Sequence, residues 1–286
     1  MKKILVIQTA FIGDVILTTP FLQALLSKWP NTEIHFVGVK AGCEMLEGLP
    51  QVHLHVLDKK NRFAGLKSLF TELNAHEFDV VFSVHRSLRS LWIGRKVKAK
   101  KRIGFDSILS RALGYEGVQY PDYSEDVHYA DKPMALFAPF GEVPKTPRPR
   151  LAVHEKDAQK LPVLPKNYFV LSPFSVWGTK AWLPERFAEA AIRLAANNGL
   201  AVVITGGGSV ADEKDAQEIT RIIHDSGERV YNLVGKTGFN ELKALIKNAR
   251  LVLSNDSAAV HIAAAFDRPV TAIFGPTVKK WGFFPL

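Results

Sequence analysis

The sequence predicts an α/β protein built from two doubly wound domains, and three observations lead there. Short, uninterrupted apolar runs rich in β-branched residues recur along the chain, as expected of strands covered on both faces. Segments with helical apolar spacing separate these runs, and that alternation builds βαβ units and parallel sheets. A proline-rich stretch near the middle divides the runs into two sets. The 286 residues, 47% hydrophobic and 23% charged, suffice for two cores and exclude a disordered chain.

The first strand is Ile4–Ile7. Its lysine-led start resembles a secretory leader, but Gln8, Thr9 and Asp14 break the apolar stretch and no small-residue cleavage site follows. A short turn is expected after Gly13, then a helix capped at Thr19 with Pro20 at its first position, where a missing N–H costs nothing. Ile34–Val39, Val52–Leu57 and Val80–Val84 complete the first set of strands. Between them, Arg62–Phe70 has helical apolar spacing and reads as packed on the sheet, with membrane contact as the alternative. Nine basic residues then crowd one stretch: Arg86, Arg89, Arg95, Lys96, Lys98, Lys100, Lys101, Arg102 and Arg111. They describe either a solvated helix face or a surface for an anionic partner.

Pro144-Lys145-Thr146-Pro147-Arg148-Pro149-Arg150 holds three prolines in seven residues, which excludes helix and central strand. The expected organisation is therefore a first domain over 1–143, a linker over 144–150 and a second domain over 151–286. Strands of the second are expected at Phe169–Leu171, Leu200–Ile204, Val230–Val234, Leu251–Leu253 and Val270–Phe274.

Several function classes drop out. No uninterrupted apolar segment approaches twenty residues, and the single cysteine, Cys43, can form neither an internal disulfide nor a metal cluster, so a cytoplasmic protein is expected. His53 and His55 alternate on a strand and His154-Glu155 lacks the second histidine of a zinc-protease helix, so no metal is assigned. Neither a phosphate-binding GxxxxGK[ST] loop nor a nucleophile elbow is present. The net charge of +9 favours an anionic partner without choosing among nucleic acid, a phosphorylated sugar-lipid and a membrane.

In doubly wound folds, ligands bind at the carboxyl ends of strands, so the strand-to-helix loops carry the candidates. The first loop, Gln8–Asp14, sets an acidic residue at a helix start. Asp14 suits two roles there: a helix cap, or a general base taking a proton from a hydroxyl. This loop lacks the repeated glycines of a dinucleotide fingerprint, which disfavours a nicotinamide enzyme. In the second set, Ser172–Glu185 brings small residues and Lys180 after a strand, suited to phosphate contact or to an exposed loop. Leu251–Ala265 reads as strand, polar turn and small-residue helix. Its free N–H groups and the Ser257 hydroxyl suit pyrophosphate oxygens, with His261 one turn on; a capped helix with a satisfied histidine is the alternative. Past Gly206-Gly207-Gly208, Glu213 either accepts from a ribose hydroxyl or stabilises a helix start.

Four patterns taken in order resemble glycosyltransferase family 9, the bacterial heptosyltransferases. They are Gly13–Pro20, Lys180–Phe187, Asn255-Asp256-Ser257 with His261, and Phe274-Gly275-Pro276-Thr277. Arg86–Phe105 and His128-Tyr129-Ala130-Asp131 extend the resemblance over nearly the whole chain. It implies two Rossmann-like domains facing across a cleft, the GT-B architecture, and inverting transfer of heptose from ADP-heptose to the lipopolysaccharide inner core at the inner membrane face. It further implies that Asp14 is the base and that Thr179 and Lys180 meet the donor. Glu213 contacts its ribose, Asp256 its sugar, and Ser257, Ala258, Ala259 and His261 its diphosphate. Arg86, Arg89 and Arg102 are the expected contacts of a phosphorylated acceptor. A nucleotide sugar and that acceptor are the partners; no cofactor, metal or nucleic acid is expected, membrane contact is peripheral, and the protein is expected to be a monomer. Two departures accompany the match. Ala258 stands where the family has glycine, and the chain stops at Pro285-Leu286 where members continue, so an incomplete second domain is expected. A same-fold transferase for another nucleotide sugar and a non-catalytic nucleotide binder remain the alternatives.

Overall fold

The computed structural model describes residues 1–59, 62–122 and 127–286, with the side chains of Arg62 and Phe63 outside the described set. The chain divides into a first unit, Met1–Arg150 with Lys279–Phe284, and a second, Leu151–Val278 with Pro285–Leu286. Six residues of the expected second domain, 279–284, thus belong to the first unit. There the Tyr129 N–H donates to the Gly282 carbonyl (2.8 Å), and the Tyr129 and Phe283 rings stack at 4.5 Å.

The first unit holds β1 (Lys3–Ile7), β2 (Glu33–Gly38), β3 (Val52–Val56), β4 (Phe78–Ser83), β5 (Ala99–Phe105) and β6 (Glu116–Val118). All pair in parallel, in the order β3-β2-β1-β4-β5-β6. β1 shows why its sequence is apolar without alternation. Ile4 and Val6 enter one core with Phe21, Phe82 and Phe137, whereas Leu5 and Ile7 enter another with Leu69, Phe78 and Ile93. Successive side chains point to opposite faces, and both faces are covered. α3 (Lys40–Leu46) lies between β2 and β3, and the expected helix over 62–70 is α4 (Arg62–Asn74), whose Leu69 and Leu73 are buried against the sheet.

Two local expectations fail for identifiable reasons. The helix after α1 (Ile12–Ile16) is α2 (Thr19–Lys28), with Thr18 rather than Thr19 at the cap position. The Thr19 hydroxyl instead donates to the Ile16 carbonyl (2.7 Å) and accepts from the Arg150 N–H (3.0 Å), which ties the proline-rich segment to this helix. The basic stretch is not one helix face either. It spans α5 (Leu88–Lys96), all of β5, and α6 (Ile108–Ala112). Only Ile103, Gly104 and Phe105 of β5 are buried, so the strand shows no long apolar run.

The second unit holds β7 (Tyr168–Ser172), β8 (Ala201–Ile204), β9 (Val230–Asn232), β10 (Val252–Asn255) and β11 (Val270–Ile273), all parallel in the order β11-β10-β7-β8-β9. Its helices are α7 (Glu155–Gln159), α8 (Pro184–Asn198), α9 (Val210–Asp225), α10 (Phe239–Asn248) and α11 (Ala258–Ala265). Each expected strand is present, with ends displaced by one or two residues. In each sheet the chain winds outward in both directions from one central pair, β1 with β4 and β7 with β10. Such switch points are where open parallel sheets bind ligands, because the loops beyond the two strands diverge there.

Candidate functional site

In the first unit a cavity of ≈ 710 Å³ opens at the β1/β4 switch point, and Asp14, Lys59, His85, Arg86, Tyr120 and Lys132 are among its lining residues. Asp14 is the third residue of α1 and does not cap it. Phe11 holds the cap position without a side-chain bond, and Asp14 contributes its carbonyl to the Thr18 hydroxyl (2.8 Å). Asp14 lines the cavity and is the only acid among the described lining residues.

The β1 and β4 loops are tied by polar side chains. The Thr9 hydroxyl lies 2.9 Å from His85 Nδ1 and 2.9 Å from the Ser90 hydroxyl, and Lys59 Nζ donates to the Thr9 carbonyl (2.9 Å). Burial, then the neighbouring Lys59, lowers the His85 pKa, so the ring is neutral at pH 7. Burial and Arg89 lower that of Lys59. Across the cavity the Tyr120 ring carries two cations: the Arg86 guanidinium at 4.3 Å and Lys132 Nζ at 5.0 Å from its centroid. Burial above all, then Arg86, pushes Lys132 down to about 8, opposed by Asp122. Two cations on one ring, in a cavity that Asp14 also lines, form a pocket that favours an anionic ligand.

The three arginines expected to meet an acceptor separate. Arg86 lines the Asp14 cavity, and Arg89 lines an adjoining one of ≈ 620 Å³ with Lys59 and Trp92. Arg102 is elsewhere: its Nε donates to the Gly94 carbonyl (2.9 Å), Nη2 to Val97 (2.7 Å) and Nη1 to Ala99 (3.3 Å). These carbonyls lie at the end of α5 and the turn into β5, so Arg102 satisfies helix-end acceptors and lines neither cavity. Lys59, His85, Tyr120 and Lys132 escaped the sequence reading. Each follows a strand or sits on the 3₁₀ segment Tyr129–Phe140, with no shared motif to link them.

At the β7/β10 switch point of the second unit, Gly178–Lys180 forms a 3₁₀ turn and Lys180 Nζ meets Asp256 Oδ2 at 2.5 Å. Buried Asn255 accepts the Trp182 N–H through Oδ1 (3.2 Å) and donates to the Pro173 carbonyl, joining the same two loops. A Cβ on Gly275 would stand 2.8 Å from the Thr179 carbonyl, so glycine permits the β11 loop to lie against that turn. Ser257 caps α11, its hydroxyl accepting from the Ala259 N–H (3.3 Å), and His261 is buried one turn on. Ala258 starts the helix with negative φ, so alanine in place of glycine brings no backbone strain. Glu213 lies in the first turn of α9 beyond the β8 loop. There Gly208 and Gly235, at φ 78° and 70°, bring their backbones together, and Glu213 Oε1 would lie 3.5 Å from a Cβ on Gly235.

Among the described residues no group of three or more His, Cys, Asp and Glu side chains could hold a metal ion, and no helix is long and apolar enough to cross a membrane.

The profile of glycosyltransferase family 9 (heptosyltransferase) matches residues 66–282. The lipopolysaccharide core heptosyltransferase OpsX of Haemophilus influenzae is 29% identical over 96% of this chain and 79% of its own length. Lipopolysaccharide heptosyltransferase 3 of Escherichia coli is 26% identical over 93% of the chain and 80% of its own. Among solved structures, the E. coli heptosyltransferase WaaC with ADP superposes with a TM-score of 0.84 at 20% identity, covering 99% of this chain and 90% of that one. A family 9 glycosyltransferase of Veillonella parvula gives 0.84 at 24%, covering 100% and 84%. The two parallel sheets are thus the fold that heptosyltransferases share.

Proposed function

The chain belongs to glycosyltransferase family 9, and on that premise we propose that it transfers a heptosyl unit from ADP-heptose to a phosphorylated lipopolysaccharide core acceptor, with Asp14 as the base. One observation carries this reading. Asp14 is the sole acid among the described residues lining a cavity that also holds Lys59, Arg86 and Lys132, at the switch point of its sheet. A lone carboxylate suits direct displacement, in which it takes the acceptor proton as the new bond forms; a retaining enzyme needs a second carboxylate as nucleophile.

The first unit takes the acceptor, whose anionic groups meet Arg86 and Lys132 across Tyr120, and Arg89 with Lys59 in the adjoining cavity. The second unit takes the donor. Thr179, Lys180, Ser257, Ala258, Ala259 and His261 surround the diphosphate, Glu213 accepts from the ribose, and Asp256 accepts from sugar hydroxyls. Charge accumulates on the departing ADP, and Lys180 together with the N–H groups opening α11 stabilises it. The donor is a substrate and the reaction uses no cofactor or metal. The protein works as a monomer in the cytoplasm, without nucleic acid, at the inner face of the membrane. Support for membrane contact comes from Ile108, 85% exposed at the head of α6, beside basic Arg111.

Mass detection of heptose transfer from ADP-heptose to deacylated lipid A–Kdo, or to its heptosylated form, tests the reading. Asp14→Ala should keep ADP binding and lose about 100-fold or more in turnover. Near-normal turnover in that variant removes Asp14 from the role.

A further inference from the structure

Lys180 and Asp256, which the proposed reaction assigns to the diphosphate and to the sugar of the donor, hold each other at 2.5 Å. The Asp256 side chain is 6% exposed and that of Lys180 26%. Asp256 has little freedom to turn to water, because its own N–H donates to the Ile273 carbonyl (3.0 Å) and it follows buried Asn255. We infer that this ion pair is an exchange latch through which Asp256 separates the sugar-bearing donor from the bare nucleotide. The inference rests on the reading of the second unit as the nucleotide-sugar site.

A phosphate that engages Lys180 draws the ammonium away from Asp256, and a carboxylate so buried then lacks its counter-charge, a costly state unless hydrogen-bond donors replace it. A nucleoside diphosphate offers none of its own there, since its phosphate oxygens are acceptors. A sugar attached to the diphosphate brings hydroxyls, which donate to the carboxylate and complete the exchange. Transfer of that sugar removes the hydroxyls. Asp256 then competes again for Lys180, and the nucleoside diphosphate is held less tightly. The same residue therefore favours donor binding and product release. No bond is made or broken in this exchange; two hydrogen-bonded partners trade places.

Calorimetric titration of ADP and of intact ADP-heptose into the full chain tests it, using wild type, Asp256→Asn and Asp256→Ser. The neutral side chains release Lys180, so both variants should bind ADP about tenfold more tightly, equivalent to about 1.4 kcal/mol, and ADP-heptose more weakly. That reversal of preference is something a merely structural aspartate would not produce. Variants that bind ADP no better than wild type, or that weaken for both ligands alike, overturn the latch and leave the donor site standing. A wild type that binds neither ligand overturns the site assignment along with it. Comparing two substitutions guards against a fold defect in one, and circular dichroism identifies which remain folded.

Discussion

Lys132 offers the sharpest test of the proposed acceptor role of the Asp14 cavity. Its ammonium is buried beside Tyr120 and Arg86, and its pKa falls from the ordinary 10.5 to about 8. That fall corresponds to about 3 kcal/mol of cost for keeping the charge buried beside Arg86, which a bound anion would offset. Only the charged form attracts an anion, so the proportion ready for acceptor drops as pH rises through about 8. Between pH 7 and pH 9 the charged fraction falls from about 0.9 to about 0.1, and acceptor KM should rise about tenfold. Donor KM, which belongs to the other unit, should stay level. Lys132→Arg keeps its charge throughout and should flatten the profile, and Lys132→Met should flatten it at a raised KM. The assay is acceptor KM at saturating ADP-heptose across that pH range. A wild-type KM that does not change, or the same rise in Lys132→Arg, refutes the assignment.

Three further outcomes follow from single positions. Arg102→Ala should destabilise the first unit by about 2–3 kcal/mol, since it leaves the Gly94, Val97 and Ala99 carbonyls without their charged donor. Thermal unfolding would show the loss, with acceptor KM unchanged in the folded protein; a raised KM at normal stability would return Arg102 to the acceptor. Gly208→Ala meets both a positive φ of 78° and a Cβ placed 2.5 Å from the Gly235 Cα, so about 1–3 kcal/mol of stability should be lost and donor KM should rise through displacement of Glu213. Calorimetry and donor titration check the two effects. His35 is pushed down to about 3 by burial first, then by His76, His55, His53 and Lys3. Its folded pKa lies below the unfolded 6.5, so its stabilisation is present above pH 6.5 and is lost as pH falls from there toward 3, by about 2–3 kcal/mol at pH 4.5. His35→Gln should lose less stability between pH 7.5 and 4.5 than wild type in denaturant unfolding, and equal losses would remove His35 as the cause.

What could be read from the chain alone follows how each signal is encoded. The strands β1, β2 and β4 are legible because both faces of each are covered, which leaves mostly apolar residues at consecutive positions. β5 is not, because Ala99–Arg102 lies where the sheet meets solvent. There Lys100 pairs with Asp79 (2.8 Å) and Lys101 with Glu116 (2.8 Å), so its first half has the composition of a surface. The second-unit motifs are legible since each is a contiguous strand-to-loop segment. The Asp14 cavity is assembled from single residues in separate loops, Lys59, His85, Tyr120 and Lys132, and such residues carry no mutual spacing.

Sequence by itself determined the fold class, the family and the candidate status of Asp14, Lys180 and the Asp256–His261 turn, because apolar period and local motif are properties of neighbouring residues. Tertiary structure alone decided direction and company. It turned Arg102 onto helix-end carbonyls, set Arg86 and Lys132 on one tyrosine ring, and brought Lys180 against Asp256 across 76 positions of chain. A charge in a sequence has a sign and no orientation, and the strand order of the folded sheets is what supplies the second.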